Sequence, residues 1–190
     1  RFAYLGTDNR IGGEELGKAA KGLLPEGGNY ATFVGVKTVA NAIERIGGFA
    51  DGAGEKFTSV DSMADGGDRN EAQENVKTVL NKNEDVDALV GIWAYNAHAI
   101  AKVVEERDIR DQTKVIVFDA AQAALTAMEN GKIDAMVVQN PYQMGYLSVK
   151  VLSAMLQDDG DAIKEVFPSC NPETKEFDEP NGDIFNTELR

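Results

Sequence analysis

Polar residues of complementary hydrogen-bonding type recur just beyond the short apolar runs of this chain. Thr7, Asp8 and Asn9 follow the run that ends at Gly6, Asn96 comes shortly after Trp93, Asp119 directly follows Phe118, and Gln139 and Asn140 follow Val138. Arg45 joins them from the flank of an apolar stripe formed by Ala42, Ile46 and Phe49. An ionised Asp only accepts hydrogen bonds, Arg only donates, and Asn and Gln do both. Together they suit a molecule whose substituents each donate and accept, and a ring bearing several hydroxyls is such a molecule. Asp and Asn also follow strands simply because they start turns and cap helices. That explanation serves for any one of these positions, and less well for the whole series.

Other constellations lead towards enzymes and carry less. His98 is the sole histidine and Cys170 the sole cysteine, on segments of different kind, with no third group to orient a Cys–His pair. A single cysteine also excludes an intrachain disulfide and a thiolate metal cluster. Asp158, Asp159 and Asp161 lack the glycine and terminal glutamate of a calcium loop. Nothing sets Asp65 and Asp68 on opposite sides of a glycosidic bond. Gly12-Gly13 and Gly27-Gly28 fit neither phosphate-binding glycine pattern. No catalytic residue, metal or cofactor is expected.

Placing the polar series requires an ordered sheet. Residues 2–6, 30–36, 57–62, 88–93, 114–118 and 135–138 are short, rich in Val, Ile and aromatics, and not cleanly alternating, as in strands buried on both faces. Helical patterns fill the gaps: Ala42/Ile46/Phe49, Ala72/Val76/Val79, Ile100/Val103/Val104 and Leu125/Met128. Asn41 and Asn96 suit N-caps and Gly131 a helix stop. This alternation predicts an α/β fold with a doubly wound, mostly parallel sheet of about five strands, right-handed crossovers, and ligand chemistry at the strands' carboxyl ends. A last helix over 142–157 carries Met144, Leu147, Val151 and Met155 on one stripe and needs a covering surface. From Asp158 the chain is acidic, with Pro168, Pro172 and Pro180, and reads as an irregular tail.

Hydrophobic residues make up 43% and charged residues 27% of the chain, ordinary shares that indicate neither disorder nor a membrane-embedded protein. The apolar runs 88–94 and 115–118 fall far short of the roughly 20 residues that span a bilayer. A formal charge of −13 repels phosphate backbones and anionic lipid, so nucleic acid is not an expected partner. The opening "RFAYLGTDN" has neither an initiator methionine nor the regions of a signal peptide, and the chain reads as part of a longer protein.

Three separated strings, "TDNRIGGEELGKAA", "NAIERIGGF" and "VIVFDAAQAALTAMENGKIDAMVVQNPYQMGY", resemble the ribose-type periplasmic sugar-binding proteins, the substrate-binding subunits of ABC importers. The resemblance covers Phe2 to about Met155. It implies the C-terminal lobe of a two-lobed fold: residues 1–7 as a hinge strand from an N-terminal lobe outside the chain, 8–138 as the sugar-binding lobe, 139–157 as hinge and returning helix, and 158–190 as the tail. Carried over position by position, Arg45, Asn96, Asp119 and Gln139 match sugar ligands, and Thr7 and Asp8 fall at the hinge. Where the family places an aromatic contact before a "DR" pair, this chain reads Ala64-Asp65-Gly66-Gly67-Asp68-Arg69, leaving Trp93 or Tyr95 as candidates for that stacking wall. The resemblance implies a periplasmic or extracytoplasmic protein whose partners are a monosaccharide and a membrane permease, and the apolar stripe of helix 142–157, left uncovered, predicts self-association of the fragment. The ligand-sensing core of a lac-repressor-type regulator is the alternative, and a sugar-modifying enzyme a third reading.

Overall fold

Elements follow one another as β1 (Tyr4–Gly6), α1 (Asn9–Leu23), β2 (Gly28–Val34), α2 (Ala40–Ala53), β3 (Phe57–Ala64), α3 (Arg69–Lys82), β4 (Ala88–Gly91), α4 (Ala94–Glu106), β5 (Lys114–Phe118), α5 (Gln122–Glu129), β6 (Ala135–Val137), α6 (Pro141–Leu156), α7 (Gly160–Val166) and β7 (Ile184–Asn186). The computed structural model describes residues 3–83, 85–174, 176, 184–186 and 189. Two units are formed, one of Asn9–Val138 and one of Arg1–Asp8 with Gln139–Arg190.

In the first unit five strands make a parallel sheet in the order β3-β2-β4-β5-β6. The central strands are apolar because both their faces are covered. Ala31, Phe33, Leu89, Val115 and Val117 point into one core with Val76 and Val79 of α3 and Ile100, Val103 and Val104 of α4. The alternate residues Tyr30, Val90, Ile116 and Phe118 are also buried, and Tyr30 meets Phe49 of α2 with ring centroids 4.8 Å apart. The crossover through α2 thus runs on one face and those through α3 and α4 on the other, a doubly wound sheet. The chain leaves β2 for β3 on one side and returns to β4 on the other, so the topological switch point lies between the carboxyl ends of β2 and β4.

Glycines set the spacing of α1 on α2. A Cβ at Gly13 or Gly17 would strike the backbone around Arg45, Phe49 and Ala53, and one at Gly48 or Gly52 the backbone of Arg10 and Glu14. The two helices touch backbone to backbone, which carries Arg45 of α2 against Asn9 at the start of α1.

In the second unit β1 and β7 pair in parallel, and α6 packs on α7 through Val151, Ala154, Ile163, Val166, Phe167 and Cys170. Three sequence expectations are corrected here. The segment after Asp158 is not irregular throughout: Asp159 caps α7 by accepting from the amide of Ala162 at 3.0 Å, Ile163 and Val166 bury themselves on α6, and β7 adds a strand. Within that expected tail, residues 175, 177–183 with Pro180, 187, 188 and 190 lie outside the described residues. The stripe through Leu147 and Val151 is not the exposed one either, because α7 and β1 cover it. The exposed apolar face of α6 instead carries Tyr142, Tyr146, Val149, Leu152 and Leu156. Asn41 does not cap α2, since Val39 holds the cap position and the helix already begins at Ala40. Among the described residues no helix is long and apolar enough to cross a membrane.

Candidate functional site

Four strand ends and two helices meet at the carboxyl edge of the five-stranded sheet. Arg45 is 4% exposed. Its guanidinium donates through Nε to Asn9 Oδ1 at 3.0 Å and through Nη1 to the carbonyl of Ile92 at 3.1 Å. The Phe118 ring lies beneath it, 4.4 Å from Cζ to the centroid, and Asp119 brings Oδ2 to 3.9 Å from Nη1. Burying a guanidinium is costly unless its donors are used, and here the end of β4, the start of α1 and the end of β5 supply the acceptors. Asp119 holds φ at 69°, a left-handed conformation that Asp tolerates better than most residues. Its amide donates to the Val137 carbonyl at 2.9 Å. The turn lifts the carboxylate off the sheet, and its side chain stays 24% exposed.

At the switch point Trp93 follows β4 and precedes the first residue of α4. It lies across the end of β2, where any side chain at Gly35 would strike its six-membered ring and the Tyr95 hydroxyl. The indole Nε1 is buried and has no acceptor among the described residues. Asn96 behaves differently from the expectation of a direct contact. It is fully buried, its Oδ1 accepts from the amide of Trp93 at 3.1 Å, and its Nδ2 donates to Asp65 Oδ2 at 2.9 Å. An amide spent on the protein at both ends acts behind the surface. Asp65, weighed in the sequence only as half of a carboxylate pair with Asp68, is the residue whose part at this edge sequence reasoning missed. Its Gly-Gly sequel signals a turn, but its partners Tyr95 and Asn96 lie some 30 positions on and cannot be read from spacing.

Thr7, Asp8 and Gln139 belong to the other unit, at the two points where the chain passes between units. Thr7 is 3% exposed and donates its hydroxyl to Gln139 Oε1 at 2.8 Å, while its carbonyl accepts from the Tyr4 hydroxyl at 3.0 Å. His98 is exposed and lines a half-open pocket of about 270 Å³ with Arg69, Gln73 and Tyr95. Cys170 is a core thiol, packed with Ile163, Val166 and Phe167.

Arg45 and Asp119 thus meet at the carboxyl ends of β4 and β5, and Trp93 lies at the switch point between β2 and β4. A family model described as the periplasmic binding protein domain matches residues 1–161, and the chain belongs to that family, one of ligand-binding proteins and not of enzymes. It is similar to the xylose/arabinose-binding protein XylF of Sulfolobus acidocaldarius, 24% identical over 163 residues that make up 83% of this chain and 40% of that protein. It is also similar to the ribose import binding protein RbsB of Salmonella typhimurium, 25% identical over 169 residues, 87% of this chain and 55% of that one. Among solved structures, GanP, a glucose-galactose binding protein from Geobacillus stearothermophilus, matches with a TM-score of 0.83 and 30% identity over 100% of this chain and 61% of that chain. The chain therefore spans about half the length of these curated relatives.

Proposed function

We propose that this chain is part of the substrate-binding component of an ABC-type sugar importer, and that Asn9–Val138 is one lobe of a two-lobed protein working outside the cytoplasmic membrane. In this reading a monosaccharide lies on the carboxyl edge of the sheet, and closure around it presents the complex to a membrane permease. Arg45 and Asp119 are donor and acceptor to its hydroxyls, Trp93 walls one side of the ring, and Asn96 holds Trp93 from behind. Thr7, Asp8 and Gln139 serve the hinge, Gln139 also as a ligand.

The observation that carries this reading is the Arg45–Asp119 pair. Arg45 is held in place by Asn9, Ile92 and Phe118, and Asp119 completes an ion pair with it, Oδ2 standing 3.9 Å from Nη1. A hydroxyl placed beside both can accept from the guanidinium and donate to the carboxylate. The relatives named for xylose, arabinose, ribose, glucose and galactose support the same ligand class.

A thermal-shift screen of the full-length protein against these five sugars selects the ligand, since 100 times the dissociation constant stabilises by about 2.7 kcal/mol. Asp119→Asn exchanges an acceptor oxygen for a donor, and Arg45→Lys loses the planar fork. Each change removes a charged hydrogen bond of about 1.5–3 kcal/mol, so affinity should fall roughly ten- to 150-fold. Titration calorimetry reads this directly, and affinities unchanged in both variants would sink the assignment.

A further inference from the structure

The loop after β3 and the first turn of α4 are tied into a closed circuit by one buried carboxylate. Asp65 is 5% exposed. Its Oδ1 accepts from the amide of Gly67 at 2.8 Å and from the Tyr95 hydroxyl, and its Oδ2 accepts from Asn96 Nδ2 at 2.9 Å. The loop itself is pinned to β2, because the amides of Asp65 and Gly66 donate to the carbonyls of Val34 and Gly35 at 3.1 and 2.9 Å. From Asn96 the circuit reaches Trp93 through the side-chain bond to its amide and through the Asn96 amide, which donates to the Trp93 carbonyl at 3.0 Å. Tyr95 closes it from the side, edge-on to Trp93 with centroids 6.4 Å apart and planes at 70°. The Trp93 ring then returns over Gly35.

A buried carboxylate is expensive, and this one is kept where its donors require it. Three donors converge on two oxygens. An asparagine here would turn an NH2 group towards either Asn96 Nδ2 or the Gly67 and Tyr95 donors, and lose at least one bond. Burial, reinforced by the neighbouring Asp65, pushes the Tyr95 hydroxyl well above its usual range, so it remains a donor at all ordinary pH. The loop from Ala64 to Arg69 carries no aromatic residue of its own, and in its place it supplies the anchor for one just beyond the end of β4.

We propose that Asp65 is a positioning residue for ligand recognition: by gripping Tyr95 and Asn96 it holds Trp93 over Gly35 as the aromatic wall of the crevice. The inference rests on the sugar-binding reading above, but its first readout does not. Trp93 is the only tryptophan in the chain, so in the chain itself its emission reports on this residue alone.

The test compares wild type and Asp65→Asn, with emission and quenching read without ligand on the 190-residue chain and affinity read on the full-length protein with the best-binding sugar of the five. Asp65→Asn should shift Trp93 emission and raise its acrylamide quenching constant. It should weaken sugar binding about tenfold, through loss of the pre-set position of the Trp93 wall. In a Trp93→Ala background, measured at millimolar sugar, the same change should alter affinity by less than about twofold, because the coupling runs through Trp93. Tyr95→Phe removes one of the three bonds and should act in the same direction more mildly, which keeps the test decisive if circular dichroism shows Asp65→Asn unfolded. Unchanged emission and quenching overturn the proposal, as does an equal loss of affinity in both backgrounds. If the wild type binds none of the sugars, the functional reading falls, while the quenching comparison still decides whether Asp65 sets Trp93.

Discussion

Asp119 carries two demands at one position, a carboxylate for chemistry and a backbone at φ 69°. A left-handed conformation costs an ordinary L-residue roughly 1–2 kcal/mol and costs glycine almost nothing. Asp119→Gly and Asp119→Ala both strip the carboxylate from beside Arg45, so that loss cancels between them. Thermal unfolding should therefore find the glycine variant more stable than the alanine variant by up to about 1 kcal/mol, the reverse of their order in a helix. Both should bind sugar weakly. Equal stabilities would mean that the turn after β5 relaxes once the side chain is gone. The position was legible in the sequence as an Asp directly after an apolar strand. The conformation was not, because a left-handed Asp and an extended one are spelled alike.

The contact of α1 with α2 decides where Arg45 stands, and it depends on what is absent from Gly13, Gly17, Gly48 and Gly52. An alanine at Gly17 would drive its Cβ into the backbone at Phe49, Gly52 and Ala53. Backbone cannot swing aside as a side chain can, so Gly17→Ala should destabilise by about 1–3 kcal/mol or more. Gly22 lies in the same helix with nothing within 4 Å of its would-be Cβ. Gly22→Ala should therefore stabilise, by roughly 0.5–1 kcal/mol, through helix propensity and unfolded-state entropy. Denaturant titrations of the two variants form an internal control, and a stable Gly17→Ala protein would show that the helices are less closely seated than described. Most elements were readable from periodicity, and β5 matches its expected bounds. The early glycines of α1 read only as a missing phosphate motif, since close packing is a property of two helices and neither sequence segment states it alone.

For the whole molecule, the exposed face of α6 is the feature with the largest consequence. Tyr142 is 81% exposed and Leu156 90%. Tyr142 and Tyr146 stack with planes 7° apart, and Val149 and Leu152 extend the same stripe. Contiguous apolar surface of this kind is normally covered in a soluble protein. The 190-residue chain should self-associate in spite of its charge of −13, with light-scattering mass rising with concentration. Tyr146→Glu with Leu152→Glu should abolish the rise. A monomer at every concentration would defeat the expectation.

Alternation of apolar runs with helical stripes was enough to determine the doubly wound parallel sheet. Polar residues at the strand ends were enough to bring Asp119, Asn96 and Gln139 forward, because a parallel sheet forces successive strand ends onto one edge, while Arg45, on a helix, and Trp93, as a stacking wall, needed the family resemblance. Only the tertiary structure decided which of them face outward. Asn96 reads in the sequence as a cap or a ligand, yet α4 already starts at Ala94, and Asp65, a partner 31 residues away, turns the Asn96 side chain inward. The covered and uncovered stripes of α6 were exchanged for the same reason: periodicity says that a helix has an apolar face, and the neighbour that arrives, here α7, decides which face it is.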